Sequence, residues 1–210
     1  MRLCMFRKTG VYDMDLIILA GMPASGKTTF AAKLSAALGY PVLEKDNLKE
    51  SLFDVIGFQT YEQKRLMDTA ATAVLLRCAD ALLKGGQSLI LVNNFRKDME
   101  ADVEALLQAH TCRCVFVFFG GDGDVFYKRY VARDLRGERH LGHVLQEHYP
   151  PWPGDPLTHT MTREEFAEKF EKLGMQDFHV TGIRRIDVDA THPETIDTEA
   201  LIQTIRNSLQ

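Results

Sequence analysis

The sequence predicts an α/β protein with a three-layer α/β/α arrangement, in which one mostly parallel, five-stranded sheet lies between two layers of helices. Short apolar runs alternate with segments of helical period along most of the 210 residues. The first apolar run leads through a glycine-rich segment into a helical pattern, and a hydrophobic content of 45% is enough for one core. We therefore expect one domain over residues 14–210, preceded by an N-terminal extension of residues 1–13.

Residues 16–20 and 88–92 are short apolar runs of the kind that lie buried in parallel sheets, and each is predicted to form a strand. Further strands are predicted over residues 42–44, 113–119 and 185–188. Apolar residues with the helical period predict helices over residues 27–38, 47–56, 61–83, 97–109, 123–135, 163–173 and 198–209. Residues 137–159 are rich in Gly, His and Pro and are predicted to form a loop, and a loop of this length is usually functional.

The glycine-rich segment, residues 21–28, reads Gly-Met-Pro-Ala-Ser-Gly-Lys-Thr and fits the pattern G-x-x-x-x-G-K-[ST] at every fixed position. We call it the phosphate loop, because its backbone N–H groups and the following helix N-terminus suit phosphate oxygens. Lys27 would meet the β and γ phosphates, and Thr28 would bind Mg²⁺. The sequence therefore predicts a P-loop NTPase fold that binds ATP with Mg²⁺, although it leaves GTP open. The predicted nucleotide-binding residues are Gly21, Met22, Pro23, Ala24, Ser25, Gly26, Lys27, Thr28 and Thr29.

The chain resembles a family of small P-loop kinases that includes zeta-toxins, chloramphenicol phosphotransferases and polynucleotide kinases and is often labelled AAA-family ATP-binding protein. The resemblance covers about residues 16–143. It rests on the sequence GMPASGKTTFA at residues 21–31, on Leu-Glu-Lys-Asp at residues 43–46, and on an arginine-bearing segment that begins at residue 129. It implies a kinase that phosphorylates hydroxyl groups.

Asp46 stands at the end of the second predicted strand, where the resemblance implies an acid that accepts the proton of the acceptor hydroxyl. An Asp at this edge of a parallel sheet faces the crevice where ligands bind, and a carboxylate there can orient the attacking hydroxyl. We predict that Asp46 is catalytic and that it contributes with Thr28 to the metal site. The alternative is that Asp46 only caps the following helix.

Arg129 and Arg133 are four residues apart and would share one helix face. The resemblance implies an arginine-bearing lid, at about residues 129–160, whose guanidinium groups hold the transferring phosphate oxygens. We predict that both arginines are catalytic. Arg136 and Arg139 have acidic neighbours in the sequence, and a solvated ion-paired helix explains them as well.

Two segments depart from the family pattern. His140 and His143 resemble an Arg-His-Pro-Gly-His motif in which Leu141 replaces the proline. Asn93 and Asn94 follow the third strand, where relatives carry an Asp or Glu, and an amide supplies no negative charge to Mg²⁺. Whether catalysis survives this change stays open, and no obvious residue is left to orient water for hydrolysis.

Other candidate sites are less specific. A zinc site at His140, His143 and His148 lacks a Cys or an acid at confirming spacing. Asp189 and Thr191 follow the last strand, where the resemblance places the adenine ring, although a surface turn explains them equally well. Residues 49–83 and 149–159 would shape the acceptor pocket, and its candidate stacking residues are Phe58, Tyr61 and Trp152.

The predicted function is an ATP-dependent phosphotransferase that moves the γ-phosphoryl group to a hydroxyl of a small molecule or a nucleoside-like acceptor. The alternatives are a P-loop ATPase that couples hydrolysis to a partner, and a nucleotide-binding module without catalysis. The formal charge of −4 argues against binding to long nucleic acid or to an anionic membrane. No apolar stretch approaches the length of a membrane span, so we expect a cytoplasmic protein; its oligomeric state stays open.

Overall fold

The structure is a computed structural model that describes residues 14–155 and 161–210. The predicted N-terminal extension and the end of the predicted lid lie outside these residues. Five strands are present: β1 (Asp15–Gly21), β2 (Val42–Glu44), β3 (Leu89–Val92), β4 (Arg113–Gly120) and β5 (Arg184–Asp189). The α-helices are α1 (Lys27–Leu38), α2 (Lys45–Ile56), α3 (Tyr61–Lys84), α4 (Glu100–Ala109), α5 (Gly123–Leu135), α6 (Leu141–Val144), α7 (Arg163–Lys172) and α8 (Thr198–Ser208).

The strands form one sheet in the order β2-β3-β1-β4-β5, and every pairing in it is parallel. In the register, Ile17 of β1 lies between Ile90 of β3 and Val115 of β4. Every residue of β1 and of β3 is buried. Because successive side chains of a strand point to opposite faces, complete burial means that helices cover both faces. The predicted α/β fold and its five strands are confirmed.

Order within the sheet decides where the functional groups meet. β1 is central, and the strands on its two sides are β3 and β4. All strands point the same way, so the segments that follow β1, β2 and β3 emerge at one edge. Ligands of open α/β sheets bind at this carboxyl edge. The phosphate loop follows β1, and Asp46 lies just after β2.

The predicted loop at residues 137–159 is wrong in one part, because it contains the short helix α6. The His140 side chain accepts a hydrogen bond from the Gly142 N–H at 3.0 Å and so caps this helix. Gly142 packs directly on Phe53 of α2, and a Cβ atom there would lie 2.2 Å from the Phe53 ring. A second apolar cluster of Phe53, Phe58, Met67 and Leu145 therefore attaches this segment to α2 and α3.

The residue at which α2 starts decides whether Asp46 is only a helix cap. The helix begins at Lys45, so that Glu44 is its N-cap residue and Asp46 lies within the first turn. No side chain forms a capping hydrogen bond here. The interpretation of Asp46 as a cap is therefore wrong. Among the residues that the structure describes, no helix is both long and apolar enough to cross a membrane.

Candidate active site

The phosphate loop is a tight turn whose conformation requires glycine at two positions. Gly21 has a φ of 136°, and a Cβ atom on it would lie 2.2 Å from the carbonyl oxygen of Phe119 in β4. Gly26 has a φ of 87° and open space around it, immediately before α1. Only glycine adopts such angles without strain. The two glycines therefore fix the path of the loop.

Two polar groups of the phosphate loop, the Lys27 ammonium group and the Ser25 hydroxyl, have hydrogen-bonding capacity left over. The buried Lys27 ammonium group donates to the carbonyl oxygens of Gly21 at 3.0 Å and Met22 at 2.8 Å. Burial lowers the pKa of Lys27 to about 8, although the Asp46 and Glu44 carboxylates act in the opposite direction. The buried hydroxyl of Ser25 has no hydrogen-bond partner among the described residues. This hydroxyl and the third donor of the Lys27 ammonium group, in one turn, fit the phosphate oxygens of a nucleotide.

Glu44 contacts the loop directly, and the sequence prediction assigned it no role. The Thr28 hydroxyl donates to Glu44 Oε1 at 2.5 Å. Burial raises the pKa of Glu44, while the hydrogen bond from Thr28 opposes this shift. The signal that could have identified Glu44 is its position two residues before Asp46 at the same strand end.

The Thr28 and Glu44 pair fits a magnesium site that is completed by nucleotide phosphates. Mg²⁺ is usually bound by one or two carboxylates together with substrate phosphates and water. Within residues 14–155 and 161–210, no three His, Cys, Asp or Glu side chains are grouped so that they could hold a metal ion by themselves. The predicted metal residue Asp46 is near this pair, since its charge acts on both Glu44 and Lys27.

Asp46 is half exposed in the cleft, with 52% of its side chain accessible. Its Oδ1 atom lies 3.6 Å from the Lys45 ammonium group. Partial burial opposes ionisation, but the positive charges of Lys45, His143 and Lys49 hold the pKa of Asp46 below its ordinary value. Asp46 is therefore an ionised and accessible carboxylate at neutral pH, which is the state that a proton acceptor needs.

The two predicted catalytic arginines occupy different surroundings. Arg133 is exposed and forms no hydrogen bond with its side chain to any described residue, and its positive charge is one of the causes that lower the pKa of Lys27. The Arg129 guanidinium group instead donates to the carbonyl oxygens of Ala190, at 2.9 Å, and Thr191. Arg133 is thus available to a ligand near Lys27, whereas Arg129 connects α5 to the segment after β5.

Comparison with known proteins agrees with this geometry. A family model described as AAA domain matches residues 16–148. A crystal structure named as a "putative kinase" from Chloroflexus aurantiacus J-10-fl is 30% identical and covers 94% of this chain and 100% of its own, with a TM-score of 0.77. The chain belongs to the AAA domain family. The comparison with curated proteins gave no match.

More distant structures share the fold of this AAA domain chain. A gluconokinase from Sinorhizobium meliloti 1021 is 17% identical, with 94% of this chain and 93% of its own covered and a TM-score of 0.54. A shikimate kinase from Bacteroides thetaiotaomicron is also 17% identical, with coverages of 92% and 97% and a TM-score of 0.54. The fold is therefore that of small P-loop kinases, as the sequence predicted.

The other two arginines of the predicted lid segment, Arg136 and Arg139, form ion pairs in this AAA domain chain. Arg136 donates to Glu138 at 2.5 Å, and Arg139 donates to the buried Asp134 at 2.7 Å. These are the pairs that the alternative interpretation expected. The structure does not establish an arginine-bearing lid, and the lid stays a prediction.

The Asn93 side chain lies in the core beside Met99. It is buried, its Oδ1 accepts the N–H of Asn94 at 2.7 Å, and its amide nitrogen lies 3.7 Å from the sulfur of Met99. The family pattern predicts an acidic side chain at the end of β3, and Asn93 supplies no acid to the site. The carboxylates of Glu44 and Asp46, after the neighbouring strand β2, provide the negative charge instead.

The other predicted site residues lie outside this centre. The Thr191 hydroxyl accepts the Asp122 N–H at 2.9 Å, and Asp189 accepts the Thr191 N–H at 2.9 Å, so these two residues form a turn at the end of β5. Phe58 is buried in the second apolar cluster and has no ring face free for a ligand. Trp152 is exposed and stacks on His148, with ring centroids 3.8 Å apart.

Proposed function

We propose that this protein is an ATP-dependent phosphotransferase that moves the γ-phosphoryl group of ATP to a hydroxyl group of a small molecule. One observation carries the proposal. Glu44, Asp46 and Arg133 all act electrostatically on Lys27, and the Thr28 hydroxyl of the same phosphate loop donates to Glu44. This set combines cations for phosphate oxygens with an accessible carboxylate for a proton, which phosphoryl transfer to an alcohol requires.

Each residue has a distinct part in the proposed reaction. Lys27 binds the β and γ phosphate oxygens together with the N–H groups of the phosphate loop. Asp46 takes the proton of the acceptor hydroxyl while the acceptor oxygen bonds to the γ phosphorus and the bond from that phosphorus to the β–γ bridging oxygen breaks, which releases ADP. Arg133 stabilises the negative charge on the transferring group. Mg²⁺, held by Thr28 and Glu44, would neutralise further phosphate charge.

The family and the fold support transfer to a small molecule. The fold neighbours named gluconokinase and shikimate kinase are kinases of small molecules. Hydrolysis is less well supported, because an ATPase needs a residue that orients water, and Asn93 points into the core. Accordingly, we assign the carboxylate of Asp46 to an alcohol acceptor rather than to water.

The proposal is tested by screening acceptors in the presence of ATP and Mg²⁺ and detecting phosphorylated products by mass spectrometry. For an acceptor that is used, Asp46→Asn should lower kcat by about 10²–10⁴-fold, the usual contribution of a general base, and should leave ATP affinity nearly unchanged. Asn47→Ala, at the next exposed position of α2, is the matched control. Unchanged turnover in Asp46→Asn would show that this carboxylate is not the proton acceptor.

A further inference from the structure

Three buried lysines meet where α2 packs against α3. Lys45 and Lys49 are one turn apart on α2, and Lys64 lies in the first turn of α3. We call these three residues the lysine cluster; each is at least nine-tenths buried. Like charges four residues apart on a helix repel each other, and buried ammonium groups lose hydration. The cluster therefore requires negative charge from another source.

The carboxylate of Asp68 forms ion pairs with most of these cations. The ammonium groups of Lys45 and Lys49 each lie 2.8 Å from Asp68 Oδ1, and Arg96 Nη1 lies 3.3 Å from Asp68 Oδ2. Burial opposes the ionisation of Asp68, but the charges of Lys45 and Lys49 hold its pKa well below the ordinary range. A single ionised carboxylate thus faces three cations, and of these Arg96 is shared with Asp98 and Lys45 with Asp46.

Lys64 forms no ion pair with any residue of the described ranges. Its ammonium group donates to the backbone carbonyl oxygens of His143, at 2.9 Å, and Leu145. Burial, together with the positive charges of Lys49 and Lys169, lowers the pKa of Lys64 to about 7. Lys169 on α7 likewise has no salt bridge to the part of the chain that the structure describes. Neither Lys64 nor Lys169 therefore has a carboxylate in direct contact within these residues, although the more distant charge of Asp68 acts on both.

The lysine cluster adjoins the reacting groups. Lys45 directly follows β2, and Arg96 comes four residues after the end of β3, so both lie at the carboxyl edge of the sheet. The Lys45 ammonium group is 3.6 Å from Asp46 Oδ1. Lys49 and Lys27 both act on the charge of Asp46. A small molecule could therefore contact the cluster with one end and Asp46 with the other.

We propose that the lysine cluster binds a carboxylate or phosphate group of the acceptor, which makes the acceptor a small anionic alcohol. The place of its hydroxyl at Asp46 rests on the proposed function, whereas the binding of the anionic group does not. Each ammonium group has three donors, so Lys45 and Lys49 keep donors for a ligand after they bond to Asp68. A bound anion also relieves the repulsion between the lysines.

Calorimetric titration tests the proposal without turnover. The protein is saturated with Mg²⁺ and a non-hydrolysable ATP analogue, which blocks the phosphate loop, and is titrated with two matched series. The first series is glycerol, glycerate and glycerol 3-phosphate, and the second is glucitol, gluconate and glucitol 6-phosphate. At least one anionic member should bind about ten-fold or more tightly than the neutral alcohol of its series. The preferred member distinguishes carboxylate from phosphate.

Variants then locate the binding group. Lys49→Met and Lys64→Met keep the apolar stem and remove the charge, and each should weaken binding of the preferred anion by about ten-fold or more. Affinity for the ATP analogue should stay nearly constant. Lys64→Arg keeps the charge and should retain most of the anion affinity. Lys84→Met, at the far end of α3, where the exposed Lys84 pairs with the partly buried Asp80, is the control and should change neither affinity.

Two results would overturn this inference. The first is equal affinity of neutral and anionic members in both series, or no binding of any anionic member. The second is an unchanged anion affinity in both Lys49→Met and Lys64→Met. The proposed function fails separately: if an anion binds at the cluster but no phosphorylated product forms with ATP, phosphoryl transfer is wrong and the anion site stands.

Discussion

The phosphate loop and the lysine cluster, the two cationic regions at the carboxyl edge of the sheet, position their ammonium groups by different means. In the phosphate loop, Lys27 is held by carbonyl oxygens of its own turn, whose path Gly21 and Gly26 fix. In the lysine cluster, Asp68 on another helix holds Lys45 and its neighbour on α2. The first arrangement depends on backbone conformation and the second on one side-chain carboxylate. Mutation and pH should therefore affect the two regions differently.

The largest effect is expected from Lys27→Ala. Removing this ammonium group should abolish the rise in unfolding temperature that Mg²⁺ and ATP produce, because the loop loses its only charged contact to the phosphates among the residues described. Differential scanning fluorimetry measures the shift. Lys33→Ala, on the exposed side of α1, should keep it. A full shift in Lys27→Ala would contradict nucleotide binding at the phosphate loop.

Asp68→Asn should have the largest effect on stability. Breaking a buried ion pair leaves uncompensated charge and costs about 3–5 kcal/mol of the free energy of unfolding. Because the pKa of Asp68 is lowered in the folded state, its contribution is present above the ordinary carboxyl pKa and is lost as the pH falls through the lower folded value. Urea unfolding at several pH values measures both effects.

A surface pair provides the control for Asp68→Asn. Glu168 pairs with Lys172 on α7, and both side chains are exposed. Glu168→Gln should change stability little, because exposed ion pairs contribute little. If the two variants lost equal stability, the lysine cluster would not depend on Asp68 as we describe.

Variants of Arg129 and Arg133 distinguish an arginine that acts on the transferring phosphate from one that stabilises the fold. Arg133→Ala should lower kcat by about 10²–10³-fold, as for other groups that stabilise transition-state charge, with little change in stability. Arg129→Ala should instead reduce stability by about 1.5–3 kcal/mol, because two carbonyl oxygens lose a charged donor. Steady-state kinetics and urea unfolding measure the two quantities. A loss of kcat in Arg129→Ala together with a loss of stability in Arg133→Ala would instead indicate that Arg129 is the catalytic arginine.

The smallest effect is a change in the pH dependence of stability. The folded pKa of Lys64, about 7, is below that of an unfolded lysine, so the unfolded state binds more protons above pH 7. This group therefore makes stability rise between about pH 7 and pH 10. The wild-type protein should show a steeper rise in its free energy of unfolding than Lys64→Met over that range. Parallel curves would show that Lys64 is not desolvated.

Local patterns were sufficient to predict part of this molecule. The phosphate loop lies within eight consecutive residues between a strand and a helix, and its geometry follows from Gly21, Gly26 and the strand that precedes them. The central strands β1, β3 and β4 are equally local, since each contains a continuous apolar run. The bounds of α2 were less certain, because the first turn of a helix that follows a strand directly, from Lys45, carries no separate sequence signal.

Contacts between distant segments could not be predicted in this way. Asp68 is 23 residues from Lys45 in sequence, and only the packing of α3 on α2 brings them together. A weak signal did exist, since Lys45 and Lys49 place like charges one turn apart. The carbonyl contacts of Arg129 likewise join residues that are 61 positions apart in the chain.

The most direct test of the central claim is a stoichiometric comparison of ADP and phosphorylated acceptor by ³¹P nuclear magnetic resonance, with Mg²⁺ and ATP present. The account predicts that ADP forms rapidly only when an acceptor is added, in equal amounts with the phosphorylated product, and that Asp46→Asn slows both. ADP that accumulates at the same rate without acceptor, and without a phosphorylated product, would contradict it.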